Sequence, residues 1–231
     1  MRIVVLTGAG ISAESGVPTF RDAGGLWEGH AVEDVATPEG FERDPDTVLR
    51  FYDARRRGAA AVAPNAAHRA LARLEGAIGP GLLVVTQNVD DLHERAGTRN
   101  LVHMHGELRM ALCTACGSHV RWTEDLIDRP PCPVCGEPSL RPDVVWFGEL
   151  PYELDRIEDA VVACDAFVSI GTSGAVYPAA GYAALAAAFG ARTVELNLEP
   201  SDALIPFDDA RTGLASVRVP AWVDEVIAAR T

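Results

Sequence analysis

Cys113-Thr-Ala-Cys116, followed after fifteen residues by Cys132-Pro-Val-Cys135, constrains this chain more than any other feature. Two Cys-x-x-Cys knuckles at this separation are the pattern of a tetrathiolate zinc site. Gly117 and Gly136 each follow a knuckle and permit the tight turn around a metal. Four thiolates complete zinc's tetrahedron and leave no position for a substrate, so a structural role is expected. Such a metal stabilises a segment too short for its own core, by roughly 10 kcal/mol in modules that unfold without it. A redox dithiol or a set of unpaired cysteines are the competing readings. The fifth cysteine, Cys164, sits in an apolar stretch and reads as a small buried residue.

Outside the cysteine segment the pattern is apolar runs alternating with helical stretches. Residues 2–7, 82–86, 165–170 and 193–197 read as buried strands, each ending at small or polar residues, as parallel strands do at their carboxyl ends. Residues 46–57, 66–75, 153–163, 178–189 and 221–229 read as helices. The first of these has Asp44 as a candidate N-cap, Pro45 at the first helical position and Gly58 just past the end. The alternation predicts an α/β fold, a Rossmann-like doubly wound parallel sheet. Two stretches break it, residues 24–64 and 112–141. They are expected to leave the sheet and form a small second lobe, within a single core spanning 1–231 whose large lobe covers about 1–23, 65–111 and 142–231.

Composition excludes several chemistries. All 20 basic residues are arginine, so a Schiff-base lysine, a P-loop lysine and a Ser–Lys dyad are impossible. A net charge of −13 repels a phosphate backbone, so no nucleic-acid partner is expected. The apolar run at residues 3–6 is too short for a signal-peptide core. The uncharged stretch 166–191 contains Gly171, Gly174, Pro178 and Gly181, and reads as strand, turn and alanine-rich helix rather than a membrane span. A cytoplasmic protein without a membrane partner is expected, and a reducing compartment favours metal ligation over disulfides.

The first strand runs into Gly8-Ala-Gly-Ile-Ser-Ala-Glu-Ser-Gly16. Glycines placed there let a phosphate approach backbone N–H groups at a helix start, although a plain tight turn would need the same residues. The spacing is G-x-G-x5-G, which departs from the dehydrogenase G-x-G-x-x-G, so hydride transfer is not indicated. Gly171-Thr-Ser-Gly-Ala lacks the second glycine of G-x-S-x-G, and His93-Glu94 lacks the second histidine of a zinc-protease motif. His103 and His105 fall two apart, on one face of an extended segment.

Taken together, Gly8–Arg21, Thr86-Gln-Asn-Val-Asp90, His105-Gly106, the four cysteines, Gly171-Thr-Ser173 and Asn197-Leu-Glu199 closely resemble the signature of the sirtuins, the NAD-dependent protein deacylases. Residues 51–57 and 144–149 look like the bacterial CobB-like, class III subgroup. The resemblance implies a cleft for NAD and acyl-lysine between a Rossmann-like lobe and a zinc lobe. It implies cofactor contacts from Gly8, Ala9, Gly10, Ser12, Glu14, Phe20, Arg21 and Trp27 in the first loop, and from Gln87, Asn88 and Asp90 near the ribose and nicotinamide. Gly171, Thr172, Ser173, Asn197, Leu198, Glu199 and Ala215 would serve the phosphate and adenosine side. Cys113, Cys116, Cys132 and Cys135 would hold one structural zinc.

The implied chemistry has the acyl oxygen attack the anomeric carbon of NAD's ribose and expel nicotinamide, a neutral leaving group that needs no general acid. His105 is the implied base, with His103 the alternative. Tyr52 and Arg55, at i and i+3 of the helix over 46–57, would hold the carboxylate of a succinyl, malonyl or glutaryl group; a solvated cluster of Arg55, Arg56 and Arg57 favoured by the helix C-terminus is the competing reading, which leaves Tyr52 unexplained. Val144, Phe147 and Val176 would line the peptide side. Acylated lysines of proteins are the implied partners and a monomer is compatible with the sequence. Mono-ADP-ribosyl transfer, or a zinc-ribbon interaction protein on a nucleotide-binding scaffold, are the alternative functions.

Overall fold

The computed structural model describes residues 1–19, 26–27 and 29–229. Eleven strands are described: β1 Ile3–Thr7, β2 Leu26–Trp27, β3 His30–Ala31, β4 Leu82–Thr86, β5 Leu101–His103, β6 Gly106–Cys113, β7 His119–Arg121, β8 Leu140–Val144, β9 Ala166–Ile170, β10 Arg192–Asn197 and β11 Asp209–Thr212. The helices are α1 Gly10–Ala13, α2 Val32–Val35, α3 Pro38–Arg43, α4 Pro45–Ala61, α5 Ala66–Ile78, α6 Leu92–Ala96, α7 Leu154–Ala163, α8 Tyr182–Ala188 and α9 Ala215–Ala228.

Six parallel strands form one sheet in the order β11-β10-β9-β1-β4-β5. Counted along the chain this is the 3-2-1-4-5-6 order of the doubly wound dinucleotide fold. Successive residues of β1 bury on opposite faces. Ile3 and Val5 join a core under α5 and α9, while Val4 and Leu6 join one under α7 and α8. That two-sided burial is why the strand reads as an unbroken apolar run. The uncharged stretch 166–191 resolves into β9, a turn and α8, and none of the described helices is long and apolar enough to cross a membrane.

The sheet edges were not visible in the sequence. β5 is three residues long and β11 reads Asp-Ala-Arg-Thr, so neither shows the apolar run of a central strand. The antiparallel sheet β7-β6-β8 was missed as well, because cysteines and prolines punctuate it.

Three helices run further than local signals predict, α5 reaching Ile78 rather than residue 75. Gly58 was expected to end α4, which continues to Ala61. Arg95 of α6 donates to the carbonyls of Ala59 and Val62, so the C-terminus is capped by a distant element. α9 starts at Ala215 and passes through Pro220. Its first turn is secured by the Glu14 carboxylate, which accepts from Ser216 N at 2.9 Å and Ser216 Oγ at 2.6 Å, and Val219, Trp222 and Val223 are buried against α5 and the sheet.

Two further apolar clusters join α2–α4 to β6–β8. Leu49 and Phe51 of α4 lie in different ones, and Cys113 and Cys132 belong to that of Leu49. Arg56 and Asp53 tie this region together. Arg56 donates to Asp53 Oδ1 at 2.6 Å and to Leu108 O at 2.7 Å, and Asp53 accepts from the amides of Leu126 and Ile127 at 2.9–3.0 Å. Both side chains are buried. Asp53→Ala leaves a buried guanidinium without its counter-ion and two amides without an acceptor. It is expected to destabilise the fold by about 3–5 kcal/mol, measured by urea unfolding of zinc-loaded protein.

Candidate active site

A doubly wound sheet binds ligands where the strand order reverses, outside the carboxyl ends of its strands. Here the reversal falls at β1, between β9 and β4. The loops that follow these strands carry Gly8–Ser12, Gly171–Ser173 and Gln87–Asp90. A Cβ on Gly10 would lie 2.7 Å from Gly171 Cα, and one on Gly8 would lie 2.7 Å from Gly171 O, so these glycines allow two loops to touch. Their amides are already used. Gly8 N donates to Ile170 O at 3.0 Å and Gly10 N to Gly171 O at 2.9 Å. These two glycines therefore serve close packing, and their own amides are held by β9 and the turn after it. α1 is four residues long.

A polar network missed in the sequence lies beneath the loop. The Thr7 hydroxyl donates to Thr86 Oγ1 at 2.9 Å and lies 3.0 Å from His93 Nε2. Asn88 Nδ2 donates to Ser12 Oγ at 3.1 Å, and Ser12 Oγ lies 3.4 Å from His68 Nε2. Burial pushes His68 down to about 4 and His93 well below the usual histidine range, so both are neutral members of the scaffold. The pair Asn65 and His68 was the available signal. It forms a capping box on α5, and Asn65 Nδ2 also donates to Ile11 O at 2.7 Å.

Gln87–Asp90 follows β4, where the backbone leaves the sheet. Gln87 N donates to Thr7 O at 2.9 Å and Asn88 N to Thr86 Oγ1 at 3.0 Å. Asn88 and Asp90 are buried, and burial raises the Asp90 carboxyl. His105 reaches the same segment from the turn between β5 and β6, with Nδ1 3.2 Å from Gln87 O. A carbonyl only accepts, so Nδ1 carries the proton and Nε2 holds the lone pair. Burial holds His105 below the usual histidine range, which keeps it neutral near pH 7. Gly106 beside it has φ 78°, and a Cβ there would collide with the Asp143 carbonyl of β8. Val145 N donates to His105 O at 2.9 Å, so β8 and its extension fix the histidine's backbone.

Tyr52 and Arg55 converge as their i, i+3 spacing predicts. The Arg55 guanidinium carbon lies 4.1 Å from the Trp27 ring centroid and 5.4 Å from that of Phe51. Tyr52 is fully buried, 5.1 Å from Phe51 and 6.4 Å from Trp27 and Trp146, and its hydroxyl accepts from Trp146 Nε1 at 3.0 Å. Trp146 is held in turn: Glu149 accepts from Trp146 N at 2.9 Å and from Arg141 at 2.8 Å, and Arg141 stacks 4.0 Å from the Trp146 ring. The three arginines are not one solvated cluster, since Arg56 is buried on Asp53 and Arg57 pairs with exposed Asp125.

Asn197 Nδ2 donates to Thr172 O at 2.7 Å, and the Ser169 and Thr172 hydroxyls are 2.9 Å apart. Ser173 O accepts from Asp202 N at 3.0 Å, Leu198 is exposed, and Glu199 follows it in the loop after β10. Glu14 faces Ser216, beside Ala215. Val144 is buried at the end of β8, and Phe147 is exposed three residues on. Val176 lines a small cavity with Gln87, Ser169 and Thr172, which groups it with the segments expected to hold cofactor. Phe20 and Arg21 lie outside the described residues.

The four knuckle sulfurs gather within 4.8 Å of one another, with Cys113 Sγ to Cys135 Sγ at 3.7 Å and Cys116 Sγ to Cys132 Sγ at 3.9 Å. A tetrahedron with zinc–sulfur bonds of about 2.3 Å needs edges of about 3.8 Å. A disulfide needs about 2.05 Å. The set fits zinc. Metal analysis of purified protein is expected to find one zinc per chain, and Cys132→Ala to lower both zinc content and melting temperature.

The Sir2 family model matches residues 8–178. A protein from Pasteurella multocida called NAD-dependent protein deacylase is 54% identical over 231 residues, covering 98% of each chain. A crystal structure of a Sir2 homologue–NAD complex matches with a TM-score of 0.91 and 39% identity, over 100% of this chain and 91% of that one. A structure described as Sir2Af2 bound to a myristoylated histone peptide matches with a TM-score of 0.76 and 34% identity, over 99% and 92%.

Proposed function

Because the chain belongs to the Sir2 family, we propose that it is an NAD-dependent protein-lysine deacylase whose base is His105. The observation that carries this reading is His105 itself. It is neutral, its Nδ1–H is committed to Gln87 O, and it adjoins the Gln87–Asp90 segment at the switch point. A histidine whose tautomer is fixed at one nitrogen presents the other as a base.

NAD supplies an anomeric carbon from which neutral nicotinamide leaves, so the acyl oxygen can become bonded to ribose. The chain's part is to bind, orient and deprotonate. Asn88 and Asp90 offer a carboxamide and a carboxyl to the ribose and nicotinamide end, with Gln87 beside them. Gly8–Ser12 and Thr172–Ser173 line the phosphate side. Asn197, Leu198, Glu199 and Ala215 line the adenosine side, where Glu14 acts through Ser216 on α9. His105 Nε2 takes the proton of a ribose hydroxyl. Four thiolates hold zinc away from this chemistry and fold the segment that carries them.

Arg55 and Tyr52 hold the carboxylate of succinyl-, malonyl- or glutaryl-lysine, Arg55 with charge and Tyr52 with the proton its hydroxyl retains after accepting from Trp146. Val144 and Phe147 border the peptide. The small lobe comprises about 24–64 and 112–141. The enzyme works in the cytoplasm as a monomer, its thiols reduced and its acidic surface turned away from nucleic acid.

The test is stoichiometry. Incubated with NAD and a succinyl-lysine peptide, the protein should release one nicotinamide for each lysine freed. Transfer of ADP-ribose to an arginine acceptor, with the acyl group left in place, would replace this reading with mono-ADP-ribosyl transfer.

A further inference from the structure

His103 and His105 both turn Nδ1 toward the segment after β4. His105 faces Gln87 O at 3.2 Å and His103 faces Asn88 O at 3.1 Å. Carbonyl oxygens only accept, so each Nδ1 carries a proton. The two rings differ at Nε2. That of His103 lies 2.7 Å from Glu94 Oε1 of α6, and a carboxylate also accepts. An imidazolium at His103 donates to both acceptors, which a singly protonated ring cannot do. Its side chain is 8% exposed, against 39% for Glu94. Glu107 of β6 adds a second carboxylate, the ligand atoms of all three lying within 4.8 Å of one another.

We infer that His103, an imidazolium clamped between the Asn88 carbonyl and the Glu94 carboxylate, is a positioning residue for the Gln87–Asp90 segment. This inference rests on the reading of that segment as the NAD-facing one. The segment leaves the sheet after Thr86, so its polar backbone relies on partners from elsewhere. Val89 O accepts from Leu108 N at 2.8 Å, and the two histidines take the preceding two carbonyls. A charged donor binds a carbonyl more firmly than a neutral one. It also disqualifies His103 as a base, leaving that role to His105.

The groups facing His103 are Glu94 and His93 from α6, Glu107 from β6 and Asp90 from the loop itself. Burial opposes the charge on His103, but the Glu94 contact outweighs it and raises the ring above the usual histidine range. The clamp is therefore complete below pH 6.5 and is lost as pH rises through the elevated value. Activity should show an acid limb from His105 and an alkaline limb from His103.

Histidine-labelled, zinc-loaded full chain is titrated by NMR, and kcat/KM for NAD is measured across pH in wild type, Glu94→Gln and His103→Gln. Wild-type His103 should be doubly protonated at pH 7. Glu94→Gln should lower its midpoint by about 1–3 pH units, as loss of an adjacent opposite charge does. The alkaline limb should move with it, the acid limb should stay, and kcat/KM at pH 8 should fall by roughly tenfold. His103→Gln keeps a donor and should lack the alkaline limb. A neutral His103 at pH 7 would overturn the proposal. So would a shifted His103 titration beside an unmoved pH profile, or a second zinc per chain that Glu94→Gln removes. A wild type without NAD-dependent deacylation would sink the functional reading instead, and the NMR titration would still decide the clamp.

Discussion

Replacing His105 with alanine is expected to lower kcat for deacylation by about 10²–10⁴-fold, the usual cost of losing a general base. NAD and acyl-peptide binding should survive, because the Gln87–Asp90 segment stays in place and Asn88 keeps its bond to Ser12. Kinetics with isothermal titration of each ligand separate the two effects. The pH dependence follows from the sign of the shift. Burial depresses the histidine, so its base-competent neutral form is complete near pH 7, and the acid limb of kcat should fall below pH 6.5. A variant keeping more than a tenth of wild-type activity would mean that another group takes the proton. His103 is a poor substitute, since Glu94 occupies its second nitrogen.

Arg55→Met is expected to lower kcat/KM for a succinyl-lysine peptide by roughly 10- to 150-fold, the worth of a charge-assisted hydrogen bond of about 1.5–3 kcal/mol. Acetyl-lysine carries no carboxylate, and its kcat/KM should change by less than about threefold. The discrimination is sharp because Arg55 is not needed for the buried ion pair on its own helix; Arg56 and Asp53 make it. Arg55 is stacked on Trp27 and Phe51 beside the buried Tyr52 phenol, which sets a cation next to a hydroxyl donor. Equal losses on both peptides would mean that the stack on Trp27 serves the cofactor loop, and the carboxylate role would have to be withdrawn.

What could be read in advance was what depends on short-range pattern. The central strands were legible because two-sided burial makes apolar runs, and β4 spans the residues its Leu-Leu-Val-Val-Thr run indicates. The zinc ligands were legible because their spacing is local. His105 and the Gln87–Asp90 segment were legible as a motif, whereas the different partners of Arg55 and Arg56, Trp27 and Asp53, were not, since both arginines share the face of Tyr52.

What escaped depends on distant partners. Arg95 extends α4 from another helix, Glu14 secures the start of α9 across the molecule, and the neutrality of His68 and His93 follows from burial that no window of sequence displays. The glycine loop carries the clearest lesson. Gly8 and Gly10 were expected to let a phosphate come close to the backbone; their own amides bond to β9 and the following turn, and the missing side chains also serve loop-to-loop contact. Sequence marks where a backbone must come close and leaves open what it comes close to.

The central claim is that this fold uses NAD to carry an acyl group from lysine onto ribose, and mass spectrometry of one reaction tests it most directly. Zinc-loaded protein is mixed with NAD and a succinyl-lysine peptide, quenched early and resolved. The account predicts free lysine peptide, nicotinamide and O-succinyl-ADP-ribose in equal amounts, with free lysine peptide and O-succinyl-ADP-ribose lowered about 10²–10⁴-fold in the His105→Ala reaction. Free succinate appearing with intact NAD would contradict it.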